Sequence, residues 1–349
     1  MPTYHALSLF SGGLDSILAT RMVMAQGLSV LGLHFVSPFF GKPQAVAAWE
    51  RDYGVTLEVI DIGQAFVDML AARPAHGLGK TLNPCVDCKI LMLRQARALL
   101  SHFGAQFLVS GEVLGQRPMS QREDTLNAIR NDAGVRDLLL RPLCAKLLPP
   151  TPMEESGMVD RERLGAIHGR GRKAQLELAR AMGISRIPAQ GGGCRLTEKE
   201  SARRYWPLLQ FAALRAEDFH LANVGRQLWH GRHWLVLSRS ERDGQVLCSL
   251  RRPGDLVFQL EQFPGPTGIA RPLPGAVWDV ATVRQAAATL AHFAPKARAA
   301  GGAIRVRVEN DHSQHTVEVL PACFFEKPPA WEDIREAKAQ WMEDSSPAR

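Results

Sequence analysis

The first 140 residues alternate short apolar runs with amphipathic stretches. Residues 4–10 predict a strand and 14–26 a helix. Residues 28–36 predict a second strand, 44–53 a helix, and 56–60 a third strand. Residues 85–102 predict a long helix, with Leu91, Arg94, Gln95 and Ala98 at helical spacing. A strand over 106–110, a helix over 121–131 and an extended stretch at 137–140 complete the series. The strand runs are apolar throughout rather than alternating, as a sheet covered on both faces requires. The pattern therefore predicts an α/β fold, a doubly wound Rossmann-like parallel sheet.

From 149 to 206 the chain turns helical and charged. Helices are expected over 173–182, ending before Gly183, and over 198–209, opened by Thr197 as N-cap. After Phe211 the texture changes again. Residues 234–239, 245–250 and 256–260 read as strands, with Asp243-Gly244 as a hairpin turn between the first two. A Pro/Gly-rich connection over 263–275 leads to a helix at 280–293 and strands at 303–309 and 315–320, a small α+β domain. A charged tail is expected to form one exposed helix and to fray over 345–349. The domain boundaries read as 1–210, 211–330 and 331–349.

Length supports this division, since 349 residues exceed what one core usually organises. No apolar run approaches the ~18–20 residues of a membrane helix, so no membrane partner is expected. The N-terminus has no basic start and does not read as a cleaved signal. Six cysteines are too few for a disulfide scaffold, which favours reduced thiols and a cytoplasmic location. The net charge of +7 permits a polyanionic partner without requiring one.

The strongest local signal is Ser11-Gly12-Gly13-Leu14-Asp15-Ser16, between the first strand and the first helix. Glycines let backbone N–H groups approach an anion, and a helix N-terminus adds partial positive charge. Ser11 and Ser16 can donate hydroxyls, and Asp15 can hold Mg²⁺ against phosphates. The Lys of GxxxxGK[ST] is missing, which excludes a P-loop kinase or GTPase. A second signal is Cys85-Val86-Asp87-Cys88, opening the long helix after Asn83-Pro84. Cys194, in Gly191-Gly192-Gly193-Cys194-Arg195, supplies a third thiol. Three readings stand open: a redox dithiol, a zinc site lacking one ligand, or a three-cysteine iron–sulfur cluster with one open iron. Cys144, Cys248 and Cys323 read as packing residues.

The hexapeptide resembles the SGGxDS pyrophosphatase loop (PP-loop) of the adenine-nucleotide α-hydrolase superfamily. That resemblance implies cleavage of ATP between the α and β phosphates and adenylation of an acceptor oxygen. It also places the adenine against Leu33-His34-Phe35. Together with Asn83-Pro84-Cys85-Val86-Asp87-Cys88-Lys89 and the later cysteine, it is similar to tRNA thiolation enzymes, in particular the iron–sulfur-dependent 2-thiouridine synthases. Ser110-Gly111-Glu112-Val113-Leu114-Gly115-Gln116 resembles the (T/S)GExLGQ segment of tRNA 4-thiouridine synthetases, so Gly111 and Gln116 are expected to border the nucleotide or the acceptor base. With the loop at residue 11, the RNA-binding region that precedes it in those synthetases is not expected here. Residues 222–227 and 234–239 look like the small NFACT-type RNA-binding module.

The resemblance thus implies an ATP-dependent tRNA sulfurtransferase with ATP, Mg²⁺ and a [4Fe-4S] cluster on Cys85, Cys88 and Cys194. The cluster is expected ahead of a Cys persulfide route. The implied partners are tRNA and a sulfur donor (sulfide, a persulfide or a carrier protein), and the oligomeric state stays open, a homodimer included. Asp15, Cys85, Cys88 and Cys194 are the expected catalytic residues. Arg161, Arg163, Arg170, Arg172 and Lys173, from the basic stretch 161–186, are expected to grip RNA phosphates. Two other functions fit the same residues: a ligase adenylating a small metabolite, or an RNA-binding regulator with a vestigial nucleotide site.

Overall fold

The computed structural model describes residues 3–189 and 193–343. The chain divides into two compact units, 1–197 and 198–349. Of the expectations above, the fraying at 345–349 and the glycines 191 and 192 lie outside the described residues.

The first unit is built on five parallel strands: β1 (Ala6–Leu9), β2 (Val30–Val36), β3 (Thr56–Asp61), β4 (Phe107–Ser110) and β5 (Leu139–Leu140). Their order is β3-β2-β1-β4-β5. The flanking helices are α1 (Leu14–Met24), α2 (Val46–Tyr53), α3 (Gly63–Ala71), α4 (Cys85–Ala98), α5 (Glu123–Asp132), α6 (Pro152–Glu155) and α7 (Lys173–Ala181). β1 and β4 are buried at every position, which is why their sequences run apolar without alternation. The core of the unit gathers Phe10, Ile17, Leu18, Phe107, Val109 and Leu140.

Chain order reverses at β1, the place where open parallel sheets form a crevice beyond their carboxyl ends. Register sets Leu9 level with Ser110, the last residues of β1 and β4, while β2 runs three residues past Leu33, the residue beside Leu9. The segments leaving β1 and β4 are therefore neighbours. A helix returning between parallel strands runs antiparallel to them, so the N-terminus of α4, at Cys85, faces the same edge.

The second unit has helices α8 (Lys199–Tyr205), α9 (Ala216–Ala222), α10 (Glu241–Ser249), α11 (Val280–His292), α12 (Pro295–Ala299) and α13 (Trp331–Glu343). Its strands are β6 (Arg226–His230), β7 (His233–Leu237), β8 (Leu256–Leu260), β9 (Gly268–Arg271), β10 (Ile304–Glu309) and β11 (Gln314–Val319). They form one antiparallel sheet of order β11-β10-β8-β9-β7-β6. The alanine-rich α11 shares a core with Leu235, Phe258, Val306 and Phe325. Fully buried Arg271 makes two hydrogen bonds to Asp255, at 3.0 and 2.8 Å, and lies 3.3 Å from Asp218.

Several expectations are corrected. Residues 245–250 are helical, within α10. The Asp-Gly turn signal is overridden by a helix start, in which Ser240 Oγ accepts from the Asp243 N–H and caps α10. The hairpin lies earlier, β6 to β7, turning at Gly231-Arg232. A strand, β9, stands inside the Pro/Gly-rich connection, and α3 occupies a stretch read as featureless. Thr197 caps no helix: its Oγ1 donates to the Cys194 carbonyl, and Glu198 is the N-cap of α8. The boundary falls at 197/198 rather than 210/211. The 331–343 segment is docked rather than a free tail, with Trp331 and Ile334 buried and the Trp341 ring 6.0 Å from that of Trp206.

Candidate active site

The turn between β1 and α1 is held by its own serines. Ser16 Oγ donates to the Gly13 carbonyl (2.8 Å) and accepts from the Ser11 N–H (3.3 Å), while Gly13 N–H donates to Ser11 Oγ (3.3 Å). Gly12 has φ +75°, and a Cβ there would lie within 2.6 Å of three ring carbons of Trp49. Only glycine meets both conditions. Gly13 is the N-cap of α1 and no side chain caps it, so the first-turn N–H groups beyond Leu14 point at the crevice.

Asp15 sits in that first turn. Its Oδ2 accepts from Gln116 Nε2 (3.1 Å), and its Oδ1 is buried without a partner. Burial raises its pKa above the ordinary carboxylate value, opposed by the Gln116 hydrogen bond and the charges of Arg172 and Arg117. Gly111, leaving β4, is pressed on the same turn. A Cβ there would stand 2.6 Å from the Asp15 carbonyl and 2.7 Å from the Ser16 nitrogen. The motif after β4 thus touches the motif after β1, as the register requires.

Glu112 is not a helix-start carboxylate. It is 2% exposed and bonded to Arg141 Nε at 2.9 Å. Burial works to raise its pKa, but the charges of Arg141 and Lys89 outweigh it and hold the carboxyl below its usual value. His34 is likewise spent inside the protein. Its Nδ1 donates to the Phe10 carbonyl (2.9 Å), its Nε2 accepts from the Lys42 N–H (2.8 Å), and its ring lies 5.0 Å from Trp49. Burial lowers its pKa, consistent with a neutral ring. His34 therefore braces the turn with no ring nitrogen left over, and Phe35 is 5% exposed within the sheet.

The thiols of Cys85, Cys88 and Cys194 are related through α4 and the segment around 194. Cys85 opens α4, and Asn83 Nδ2 donates to its sulfur at 3.1 Å. Cys194 is brought in by main-chain bonds: the Arg195 N–H donates to the Phe39 carbonyl (2.8 Å) and the Leu82 N–H to the Leu196 carbonyl (3.1 Å). Cys88 feels both other thiols. Burial and then the Cys194 thiol drive its pKa far up, with Cys85 and Asp87 adding and Lys89 opposing. Among the described residues no group of three or more His, Cys, Asp or Glu side chains stands in metal-holding geometry. Cys88 is within electrostatic reach of both other sulfurs, and the three do not make a metal-ligand set.

The basic stretch does not form one face. Arg161 is bound to Glu154 (2.5 Å) and the Leu148 carbonyl, Arg163 to the Ala25 carbonyl, and Arg186 to Asp52. Arg172, the N-cap of α7, faces Asp15. Arg170 and Lys173 are exposed, Lys173 lying 4.0 Å from Glu177. Sequence reading quoted Asn83 and Lys89 in the cysteine motif without giving them a role, and it missed Trp49 and Gln175. Of those two, Gln175 left a usable trace, a polar residue on the buried stripe of α7.

Comparisons follow this geometry. Residues 3–146 match the family model described as Thiamine biosynthesis protein (ThiI). The match takes in both turns and the paired cysteines but stops short of Cys194. A tRNA-specific 2-thiouridylase MnmA of Nitratidesulfovibrio vulgaris is 33% identical over 122 residues, 30% of this chain and 34% of the relative. A probable tRNA sulfurtransferase of Thermococcus kodakarensis is 31% identical over 115 residues, 32% of this chain and 30% of the relative. The chain thus spans about a third of the length of the curated relatives it matches. Among solved structures, the U34-tRNA thiolase NcsA from Methanococcus maripaludis, with its [4Fe-4S] cluster, aligns over 55% of this chain and 61% of its own at 14% identity and TM-score 0.31. Among the described residues no helix is long and apolar enough to cross a membrane.

Proposed function

We propose that this protein is an ATP-dependent tRNA sulfurtransferase, which adenylates a uridine carbonyl oxygen with release of pyrophosphate and replaces that oxygen with sulfur. One observation carries the reading. Gly111 is pressed against Asp15, the charge of Lys89 acts on the neighbouring Glu112, and Cys88 is within electrostatic reach of Lys89, Cys85 and Cys194. The anion turn and the thiols stand at one edge of one sheet, as a reaction joining ATP cleavage to sulfur delivery requires. The ThiI match over the same segment supports it.

A carbonyl oxygen is a poor leaving group until it is joined to AMP. Cleavage at the α-phosphate calls for in-line placement and neutralised charge rather than covalent help from the protein. The uncapped N-terminus of α1, the serine hydroxyls and Asp15, with Mg²⁺ arriving on ATP, suit that task. In the thiol route, the outer sulfur of a cysteine persulfide attacks the activated carbon and AMP leaves. A second thiol then attacks the cysteine sulfur, freeing thiouridine and leaving a disulfide, which an external dithiol reduces by two electrons. Asn83, donating to the Cys85 sulfur, orients that thiol at the start of α4.

The same three sulfurs have the donor chemistry of a [4Fe-4S] cluster with one open iron, which would hold sulfide as the nucleophile. No step above runs through it. Exposure leaves Arg170 and Lys173 free to meet RNA phosphates, and the NFACT-like segment at 222–227 favours a supporting RNA contact for the second unit.

The test supplies ATP, sulfide or persulfide, and tRNA, and measures thiouridine with AMP and pyrophosphate in step. AMP formation driven by a small acid and indifferent to tRNA would transfer the site to the metabolite-ligase reading. An anaerobic iron and sulfide assay beside Cys194→Ala separates the sulfur routes. Iron bound by wild type and lost in the variant selects the cluster; its absence selects the thiols.

A further inference from the structure

Helix α7 buries Gln175 completely, yet neither its Nε2 nor its Oε1 has a hydrogen-bond partner. A buried carboxamide with nothing to bind costs stability, and an apolar residue of similar size would avoid that cost. Gln175 lies next to Asp15, whose Oδ1 is also unpartnered, and Gln116 adds a third unpartnered oxygen, its Oε1. Side chains from α7, from α1 and from the segment after β4 thus bring unsatisfied buried polar atoms to one spot. Two cations face it, Arg172 and Arg117. No side chain caps α7, although its first turn carries both Arg172 and Gln175.

We propose that Gln175 and Arg172 form the second wall of the phosphate site, holding the β- and γ-phosphoryl groups of ATP and then the departing pyrophosphate. This rests on the ATP-cleaving reading above and moves Arg172 from RNA contact to nucleotide contact. Gln175 Nε2 donates to a phosphoryl oxygen, and the Arg172 guanidinium neutralises charge as the α–β bond breaks. The free acceptors on Asp15, Gln116 and Gln175 suit the water shell of the divalent cation that travels with the phosphates. The two uncapped helix starts, α1 and α7, would then serve the same anion. A glutamine with a purely structural role would have found well-formed hydrogen bonds, and this one is only close enough to Asp15 to favour its carboxylate, with no bond of good geometry at either amide atom.

The experiment titrates full-length protein with inorganic pyrophosphate, ATP and AMP, each with Mg²⁺, by calorimetry. The variants are Gln175→Leu, Gln175→Glu and Arg172→Ala. Pyrophosphate and ATP binding should weaken at least about tenfold in all three, the loss of one good charge-assisted hydrogen bond, with AMP affinity held within about twofold. Unliganded Gln175→Leu should melt at or above the wild-type temperature, since it removes an unpaired amide. Unchanged pyrophosphate affinity in Gln175→Leu and Arg172→Ala would overturn the proposal, as would AMP weakening in parallel with ATP. Should Gln175→Leu fold poorly, Gln175→Glu and Arg172→Ala still decide through pyrophosphate. Selective loss of pyrophosphate without thiouridine formation on any tRNA would sustain this site while removing the sulfurtransferase reading.

Discussion

Replacing Gly12 with alanine tests the anion turn most directly. Two separate penalties are expected. At φ +75° an L-residue costs about 1–2 kcal/mol. The new methyl also meets three carbons of the Trp49 ring within 2.6 Å, and overpacking of this kind costs about 1–3 kcal/mol. Trp49 has little room to retreat, with Phe10 at 6.0 Å and His34 at 5.0 Å between ring centroids. The sum is roughly 2–5 kcal/mol. The second penalty belongs to the pair, so Trp49→Leu in the Gly12→Ala background should return about 1–3 kcal/mol while the backbone strain remains. Urea-dependent hydrogen exchange over residues 6–24 reads the first unit alone. If the double variant loses as much as the two single variants added together, within about 0.5 kcal/mol, Trp49 is not the wall of the turn and the argument fails.

Asp15→Asn should abolish ATP cleavage yet raise the stability of the unliganded protein, because burial makes the carboxylate unfavourable in the folded state; turnover and melting temperature check the two signs. Glu112 has its folded pKa depressed below 4.5, so it stabilises above that value and the contribution is lost as pH falls through the folded pKa. Glu112→Gln should therefore flatten acid unfolding between pH 5 and lower values by about a residue's worth of proton uptake, and cost about 3–5 kcal/mol at pH 7 by stranding Arg141. Arg271→Met should destabilise the second unit by about 3–5 kcal/mol, since it leaves buried Asp255 without its cation and Asp218 with Arg252 alone; urea unfolding with exchange read over residues 256–271 measures it.

The first unit was legible because its strands are apolar at every position and its two turn motifs lie just past strand ends, a relation the parallel register preserves in space. Cys194 was grouped with Cys85 and Cys88 on chemistry alone, whereas the main-chain bonds that hold the segment around it involve Phe39 and Leu82, ordinary apolar residues with no mark in the sequence. Gln175 and Trp49 act through burial and close approach, which depend on what packs opposite. His34 was set beside the adenine by the resemblance alone; by itself it read as a satisfied core histidine, and it is consumed by Phe10 and Lys42. In the second unit, Asp243-Gly244 read as a turn because dipeptide preference is local; the Ser240 cap three residues upstream outweighs it. The basic stretch was read by sign alone, and sign does not say which arginines already have carboxylates or carbonyls to hold.

Cys194 is attached to the rest of the site through peptide groups, the Arg195 N–H on Phe39 and the Leu196 carbonyl on Leu82. Those atoms are common to nearly every amino acid, so the address of the third sulfur survives most spelling changes around it. Arg195 can drift in identity while the cysteine stays put. Proline is the exception, because it alone deletes the hydrogen that does the anchoring.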